Sequence, residues 1–321
     1  MKRFIVYILI CSVLILGGCA YQMVLIAPVE EYSDTRLLMD TVCTVRAGGK
    51  NPKAAVDAAF ARIEEIANKV DYYSDSSEVT AINKAKANRA VSVSEDVFFI
   101  IEEAQKISEK TEGAFDITIA PLKDLWNIQQ GGPNPHKEED IKEAQKKVNY
   151  KNIILGRENK TVTLTEDNVK IDLGGAAKGY AADCAIDTLK EIGIAYALVD
   201  LGGNIYATGK NPSRPDGKWL VGIQKPFAEG SECAETVLIE EGAVVTAGTY
   251  QRYFISEDKV YHHIIDSKTG YPSNSGVESA TIVGETALVA DCLSTACVVL
   301  GEEKGKELAE AFGVELIIAE K

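Results

Sequence analysis

The sequence is short of positive charge. Thirty-four lysines and arginines stand against 48 acidic residues, a formal charge of −14. A nucleic-acid-binding protein needs a basic face to meet phosphates, so the balance excludes nucleic acid as the main partner. A site that handles phosphates in such a chain must import positive charge, and a metal ion is the simplest source. Paired cysteines are also missing. Of seven in all, Cys11 lies in the N-terminal apolar run, and Cys43, Cys184, Cys233, Cys292 and Cys297 follow Cys19 without any C-x-x-C spacing. Neither a disulfide framework nor a zinc site follows from that set. Buried thiols are expected, with one disulfide left open. After Thr35 there is no second membrane-length apolar run, no repeat and no long Pro/Ser-rich linker, so one domain is the default.

What is present begins with Lys2 and Arg3, followed by the apolar run Phe4 to Leu16 and by Leu16-Gly17-Gly18-Cys19. A basic start, a short apolar stretch and small residues at its end form a secretory signal. The ending resembles a bacterial lipobox, with cleavage before Cys19 and the lipid carried on that cysteine. An uncleaved anchor helix with an incidental cysteine would export the rest of the chain equally. Residues 1–18 are therefore read as signal, 19–34 as lipidated cysteine and tether, and 35–321 as a folded domain on the extracytoplasmic face of the bacterial cell membrane.

Within that domain, Pro52 opens a helix with Val56, Phe60, Ile63 and Val70 on one face. Ser94-Glu95-Asp96 starts another, with Val97, Ile101, Ala104 and Ile107 inward and acids suited to the helix dipole. Gly131 to Pro135 is a loop. Strands are expected at Thr161–Thr165, Val169–Asp172, Tyr196–Asp200, Trp219–Gln224, Thr236–Ile239, Tyr261–Ile265 and Ala280–Val283. Helices are expected over Ala177–Ile192, stopped at Gly193, and over Ala287–Leu300. Strands and helices without a strict alternating repeat indicate an α+β or mixed α/β fold.

Three clusters carry chemistry. Asp172-Leu173-Gly174-Gly175-Ala176-Ala177-Lys178-Gly179-Tyr180 runs through small residues into a helix, exposing backbone amides where an anion is favoured. Glycines admit a close ligand, and Lys178 offers a point charge to a phosphate. The segment fits neither Walker A nor G-x-G-x-x-G, and a tight structural turn explains it equally. Second, Asp291 and Thr295 are four apart on a helix and share a face, with Ser294 beside them. One carboxylate plus hydroxyls is a sparse oxygen set that suits Mg²⁺ with open positions; a buried, hydrogen-bonded Asp is the alternative. Third, His262 and His263 are adjacent in an expected strand, so they point to opposite faces and do not share a metal. One is expected inward and functional, the other exposed. Gly113-Ala114-Phe115-Asp116 adds an aromatic beside an acid.

Taken in order, these segments resemble the ApbE family of FAD:protein FMN transferases. The resemblance rests on Met39-Asp40-Thr41, Tyr73, Ser77-Glu78, Gly113 to Asp116, Asp172 to Tyr180, Val199 to Gly203, Thr246-Ala247-Gly248, His263 to Asp266 and Ala290 to Thr295. It implies a single α+β domain of ApbE type, T-fold-like, with mixed sheets and flanking helices. It further implies FAD, as substrate, lined by Met39, Tyr73, Ala114, Phe115, Asp116, Asp172, Lys178 and Ile265. Mg²⁺ would be held by Asp291, Thr295 and a carbonyl in the Gly175-Ala176 turn, with Ser294 assisting. His263 or Asp266 would move the proton. The partner would be a protein whose Thr or Ser accepts FMN while AMP leaves. Thr246-Ala247-Gly248 departs from the family's usual Thr-Ser-Gly, and Ser267 replaces a frequent Pro. A Mg²⁺-dependent FAD pyrophosphatase and a non-catalytic flavin-binding lipoprotein are the competing readings.

Overall fold

The computed structural model describes residues 29–128, 136–228 and 232–320. The lipobox with Cys19 and the 131–135 loop lie outside the described residues. Along the chain, a hairpin of β1 (Glu31–Leu38) and β2 (Thr41–Gly49) leads into helix α1 (Pro52–Val70) and α2 (Glu78–Lys84). Strand β3 (Val91–Ser92), α3 (Glu95–Lys110), α4 (Ala120–Trp126) and α5 (Glu138–Gln145) follow, then β4 (Ile153–Gly156) and β5 (Thr161–Leu164). Helix α6 (Ala177–Ile192) precedes β6 (Ile194–Leu201), β7 (Asn204–Thr208), β8 (Trp219–Gln224), β9 (Cys233–Ile239) and β10 (Gly242–Gly248). The chain ends with β11 (Tyr253–Ser256), β12 (Lys259–His262), β13 (Val277–Gly284), α7 (Ala287–Leu300), α8 (Glu302–Phe312) and β14 (Glu315–Glu320).

One antiparallel sheet in the order β1-β2-β6-β7-β10-β13-β14 organises these elements. Its side chains alternate between two cores, as a period of two requires. Cys43, Val45 and Ala47 of β2, Ala197 and Val199 of β6, and Ala243 and Val245 of β10 face the helices. Tyr196 and Val244 face the other way, under Trp219, Val221 and Ile223 of the β8–β9 ribbon. Burial on both faces explains why β10 reads Gly-Ala-Val-Val rather than as a polar–apolar alternation. Helices α1, α6 and α7 form the covering layer. The result is a single α+β domain, as expected from the sequence.

Local chemistry sets the element ends. Ser94 caps α3, its hydroxyl accepting from Val97 N, and Gly193 ends α6 in the left-handed region at φ 86°. Helix α7 has no side-chain cap of its own. Asp183 of α6 supplies one instead, accepting from Ala287 N at 2.7 Å and Leu288 N at 2.9 Å. All five cysteines from Cys43 onward are free thiols.

Three expectations change. Strand β1 begins at Glu31, within the stretch assigned to the tether. Val169–Asp172 is not a strand: the Asn83 amide bonds both Ile171 N (2.8 Å) and Ile171 O (2.9 Å), occupying the groups a neighbouring strand would use. Strand β12 stops at His262, because His263 N turns to Arg252 O at 3.1 Å and Ile265 makes only an isolated bridge to Pro272.

A carboxylate ties the helical layer together. Asp96 of α3 accepts from the Arg62 guanidinium and from Lys69 Nζ (2.7 Å), both on α1, and from Tyr180 Oη (2.7 Å) on α6. Burial alone would raise the Asp96 pKa, but Arg62, Lys69 and Tyr180 together hold it well below the usual carboxylate range. A lowered carboxyl pKa stabilises the fold above its unfolded value and loses that contribution as pH falls. Asp96→Asn should therefore lower the unfolding free energy at neutral pH by about 3 kcal/mol. In urea titrations the gap from wild type should narrow as pH drops below about 4.

Candidate functional site

The site starts where α6 and α7 touch. A Cβ on Gly179 would lie 2.2 Å from Ala287 O and 2.8 Å from Leu288 Cα, so only glycine permits this approach. The contact brings Asp291, one turn further along α7 and 4% exposed, onto the first turn of α6. Asp291 Oδ2 accepts from Gly179 N at 3.0 Å and lies 3.8 Å from Lys178 Nζ. A carboxylate against a helix N-terminus is stabilised by the N–H groups and dipole there. Because Gly179 N is taken by Asp291, it does not continue the helix to Gly175 O, whereas Ala176 O accepts from Tyr180 N at 3.1 Å. The Gly175 carbonyl, not Ala176's, is thereby the one the helix leaves available.

Thr295 follows Asp291 by one turn and is half-buried. A Cβ on Gly175 would sit 3.6 Å from Thr295 Oγ1 and 3.1 Å from the Phe115 ring, so the missing side chain keeps a space between them. Asp291, Thr295 and Gly175 thus offer a carboxylate, a hydroxyl and a carbonyl around one place. Such a set fits a small hard cation that completes its shell with water and phosphate oxygens. No group of three His, Cys, Asp or Glu suited to a metal occurs among the described residues, so a carboxylate-rich or thiolate site is not the alternative. Ser294 does not join: it is fully buried and its hydroxyl donates to Asp291 O at 2.9 Å, bonding back along its own helix.

On the other side of the glycine loop, Asp172 Oδ1 accepts from Gly174 N at 2.7 Å and Oδ2 pairs with Lys123 of α4. Lys123 Nζ also lies 5.4 Å from the Tyr72 ring centre and 5.6 Å from that of Tyr73. Tyr73 is 64% exposed, which suits a ring awaiting a planar ligand. Ala114 and Phe115 are buried beside the loop. Asp116 is committed to the backbone: Oδ1 accepts from Thr118 N and Oγ1 at 2.8 and 2.6 Å, and Oδ2 from Tyr150 N at 2.9 Å. Its carboxylate shapes the loop rather than presenting a free charge. Lys123 escaped the sequence reading, since a lysine on a short helix carries no motif.

The sequence left open which of the two histidines faces inward. His262 is the buried one, its Nε2 2.9 Å from Ser273 O. His263, just past the strand, is half-buried with Nδ1 3.3 Å from Arg252 O. Burial, with the charges of Arg252 and His262 beside it, lowers the His263 pKa to about 3, so the ring is neutral at physiological pH and, as it stands, a weak base. Asp266 Oδ1 accepts from Lys268 N at 2.8 Å, forming the turn to Gly270. Ser267 Oγ donates to Gly113 O at 2.6 Å, joining that turn to the Ala114–Asp116 loop. Ile265 packs with Leu122, Trp126 and Ile128. Nearby, an open cleft of about 490 Å³ is lined by Asp40, Ile128, Gln251, Arg252 and Tyr253. Met39 sits at its edge, in a two-residue turn with Asp40 where both have positive φ (51° and 57°).

Comparison with known proteins places this arrangement. The sequence model of the ApbE family matches residues 39–318. An FAD:protein FMN transferase of Treponema pallidum is 33% identical over 330 residues, covering 97% of this chain and 89% of that protein. One from Vibrio cholerae is 30% identical over 324 residues, covering 97% and 92%. The crystal structure of the ApbE protein from Thermotoga maritima superposes with a TM-score of 0.81 at 32% identity, covering 90% of this chain and 94% of that one. The flavin transferase ApbE from Vibrio cholerae gives 0.81 at 27% identity, covering 92% and 94%.

The helix contact is open to a direct test. Gly179→Ala should force α6 and α7 apart and lower stability by about 1–3 kcal/mol, as overpacking against rigid backbone does. A crystal structure should show the Gly179 N to Asp291 bond lengthened beyond hydrogen-bonding range. Unchanged stability and geometry would show that the contact is slack.

Proposed function

The chain belongs to the ApbE family, and from that membership we propose that it is a transferase cleaving FAD and attaching FMN to a hydroxyl of an exported protein. The observation that supports this reading is Asp291, bonded to Gly179 N and 3.8 Å from Lys178 Nζ at the start of α6, with Thr295 one turn along and in reach of Gly175. The first N–H groups of α6 are mostly used within the protein, so the charge that phosphates need here would come from Lys178 and a metal ion. Asp291, Thr295 and Gly175 would hold Mg²⁺, which when bound supplies positive charge to the pyrophosphate. Met39, Tyr73, Ala114, Phe115, Asp172, Lys178 and Ile265 would line the flavin, with Asp116 holding the loop.

The Thr or Ser hydroxyl of the acceptor attacks the phosphorus of the FMN half. A phosphoester bond forms, the bond to the bridging oxygen breaks, and AMP departs with that oxygen. The hydroxyl proton needs an acceptor, and His263 or Asp266 would take it. For His263, the negative charge of bound phosphates would have to offset the burial and the cations that depress its basicity. Lys178 stabilises charge on the phosphates throughout. The Leu16-Gly17-Gly18-Cys19 segment supports a lipid anchor at Cys19, which would put this chemistry at the outer face of the cell membrane.

Purified protein incubated with FAD, Mg²⁺ and a candidate acceptor should add one FMN mass to the acceptor, read by mass spectrometry. Asp291→Ala or chelation should reduce the yield by at least about a hundredfold. Free FMN and AMP without a labelled acceptor would make the chain a pyrophosphatase, and intact FAD would make it a carrier. In cells, Cys19→Ser should move the protein from the membrane to the soluble fraction; retention on the membrane would rule out the lipid as its anchor.

A further inference from the structure

Helix α4 lies between two sets of residues that the proposed flavin site brings together, and Lys123 is its one cation. On one side Lys123 Nζ pairs with Asp172, whose second oxygen holds Gly174 N at 2.7 Å and so fixes the glycine loop. The same ammonium stands 5.4 and 5.6 Å from the ring centres of Tyr72 and Tyr73, themselves edge to face at 5.2 Å. The neighbouring Asp124 accepts from Tyr72 Oη at 2.7 Å and pairs with Lys170 at 3.0 Å. At the far end of the helix, Trp126 Nε1 donates to Gly270 O at 2.8 Å, and Trp126 packs with Ile265. Less than one turn of helix, from Lys123 to Trp126, therefore ties the Asp172 loop and the tyrosines to the turn that carries Ile265.

The two partners of Lys123 need it for different reasons. Asp172 is 7% exposed, and a buried carboxylate requires a counter-charge. Tyr73 is largely exposed, so packing does not orient its ring; the edge of Tyr72 and the cation do. Resting on the function proposed above, the geometry points to Lys123 as a positioning residue for FAD: it fixes the exposed Tyr73 ring and the Asp172 loop relative to each other without touching the reacting phosphates. An ion pair that only supported the fold would link Asp172 to α4 and leave the tyrosines unengaged. Binding of the flavin dinucleotide, rather than the chemical step, is what Lys123 governs.

The full chain and its Lys123→Met and Lys123→Arg variants are titrated with FAD without Mg²⁺, following flavin fluorescence, and then assayed for AMP release with acceptor. Lys123→Met should raise both Kd and KM for FAD about tenfold, the size of one lost charge-assisted contact. At saturating FAD its kcat should stay within about twofold of wild type, since the interaction is made equally in ground and transition states. Lys123→Arg should recover most of the affinity. Wild-type FAD binding by the methionine variant, or a fall in kcat and melting temperature with Kd unchanged, overturns the positioning role. If the methionine variant does not fold, Lys123→Gln decides: a rise of about tenfold in Kd and KM with kcat kept upholds the role, and wild-type affinity overturns it. A wild-type chain that does not bind FAD overturns the flavin function itself and this role with it, a result distinct from any difference between variants.

Discussion

Glycine at position 179 is what allows α6 and α7 to meet backbone to backbone. Without that contact Asp291 would be a lone acid on an apolar helix, a buried charge with no partner. With it, the carboxylate is hydrogen-bonded by Gly179 N and lies 3.8 Å from Lys178 Nζ, at the start of a helix whose N–H groups leave the Gly175 carbonyl unused. The sheet serves this meeting from below. Its two-sided burial fixes β10 and β13 under α7 and β6 under α6, so the helices have little freedom to slide.

The scarcity of cations gives the site its electrostatic character. Most described lysines and arginines pair with surface carboxylates, where they contribute little. A few do otherwise. Arg62 and Lys69 converge on Asp96, Lys123 on Asp172 and Lys178 on Asp291, all carboxylates at most 7% exposed. In an acidic protein these inward cations are the ones that can organise an anionic ligand, because low local dielectric strengthens their fields.

Much of the fold was legible in the sequence. The ends of α6 and α7 at Gly193 and Gly301, and the start of α3 at its Ser94 cap, could be read from local chemistry. The Asp291–Thr295 face followed from helical periodicity, and the order of motifs pointed to the family. What failed depended on contacts distant in sequence. Val169–Asp172 has strand composition, but the amide of Asn83, 88 residues away, takes its backbone groups. Which of two adjacent histidines is buried was decided by Ser273 and Arg252, not by alternation. Ser294 is a local exception: its hydroxyl bonds back to Asp291 O, three residues earlier on the same helix. Lys123 was invisible because its meaning lies in three aromatic and acidic neighbours that only the tertiary fold assembles.

The cap that Asp183 places on α7 has a kinetic side. Two of the first N–H groups of α7 are satisfied by a residue 104 positions earlier in the chain, and the helix has no side-chain cap of its own. An apolar helix started this way gains little from forming alone, and nucleation is the expensive step. Helix α6 likewise has no side-chain cap at its start, and its Gly179 N is bonded by Asp291 of α7, so each helix is completed by the other. The Asp291–Thr295 face is therefore assembled only when the two helices are docked, and a chain with α7 undocked would lack it.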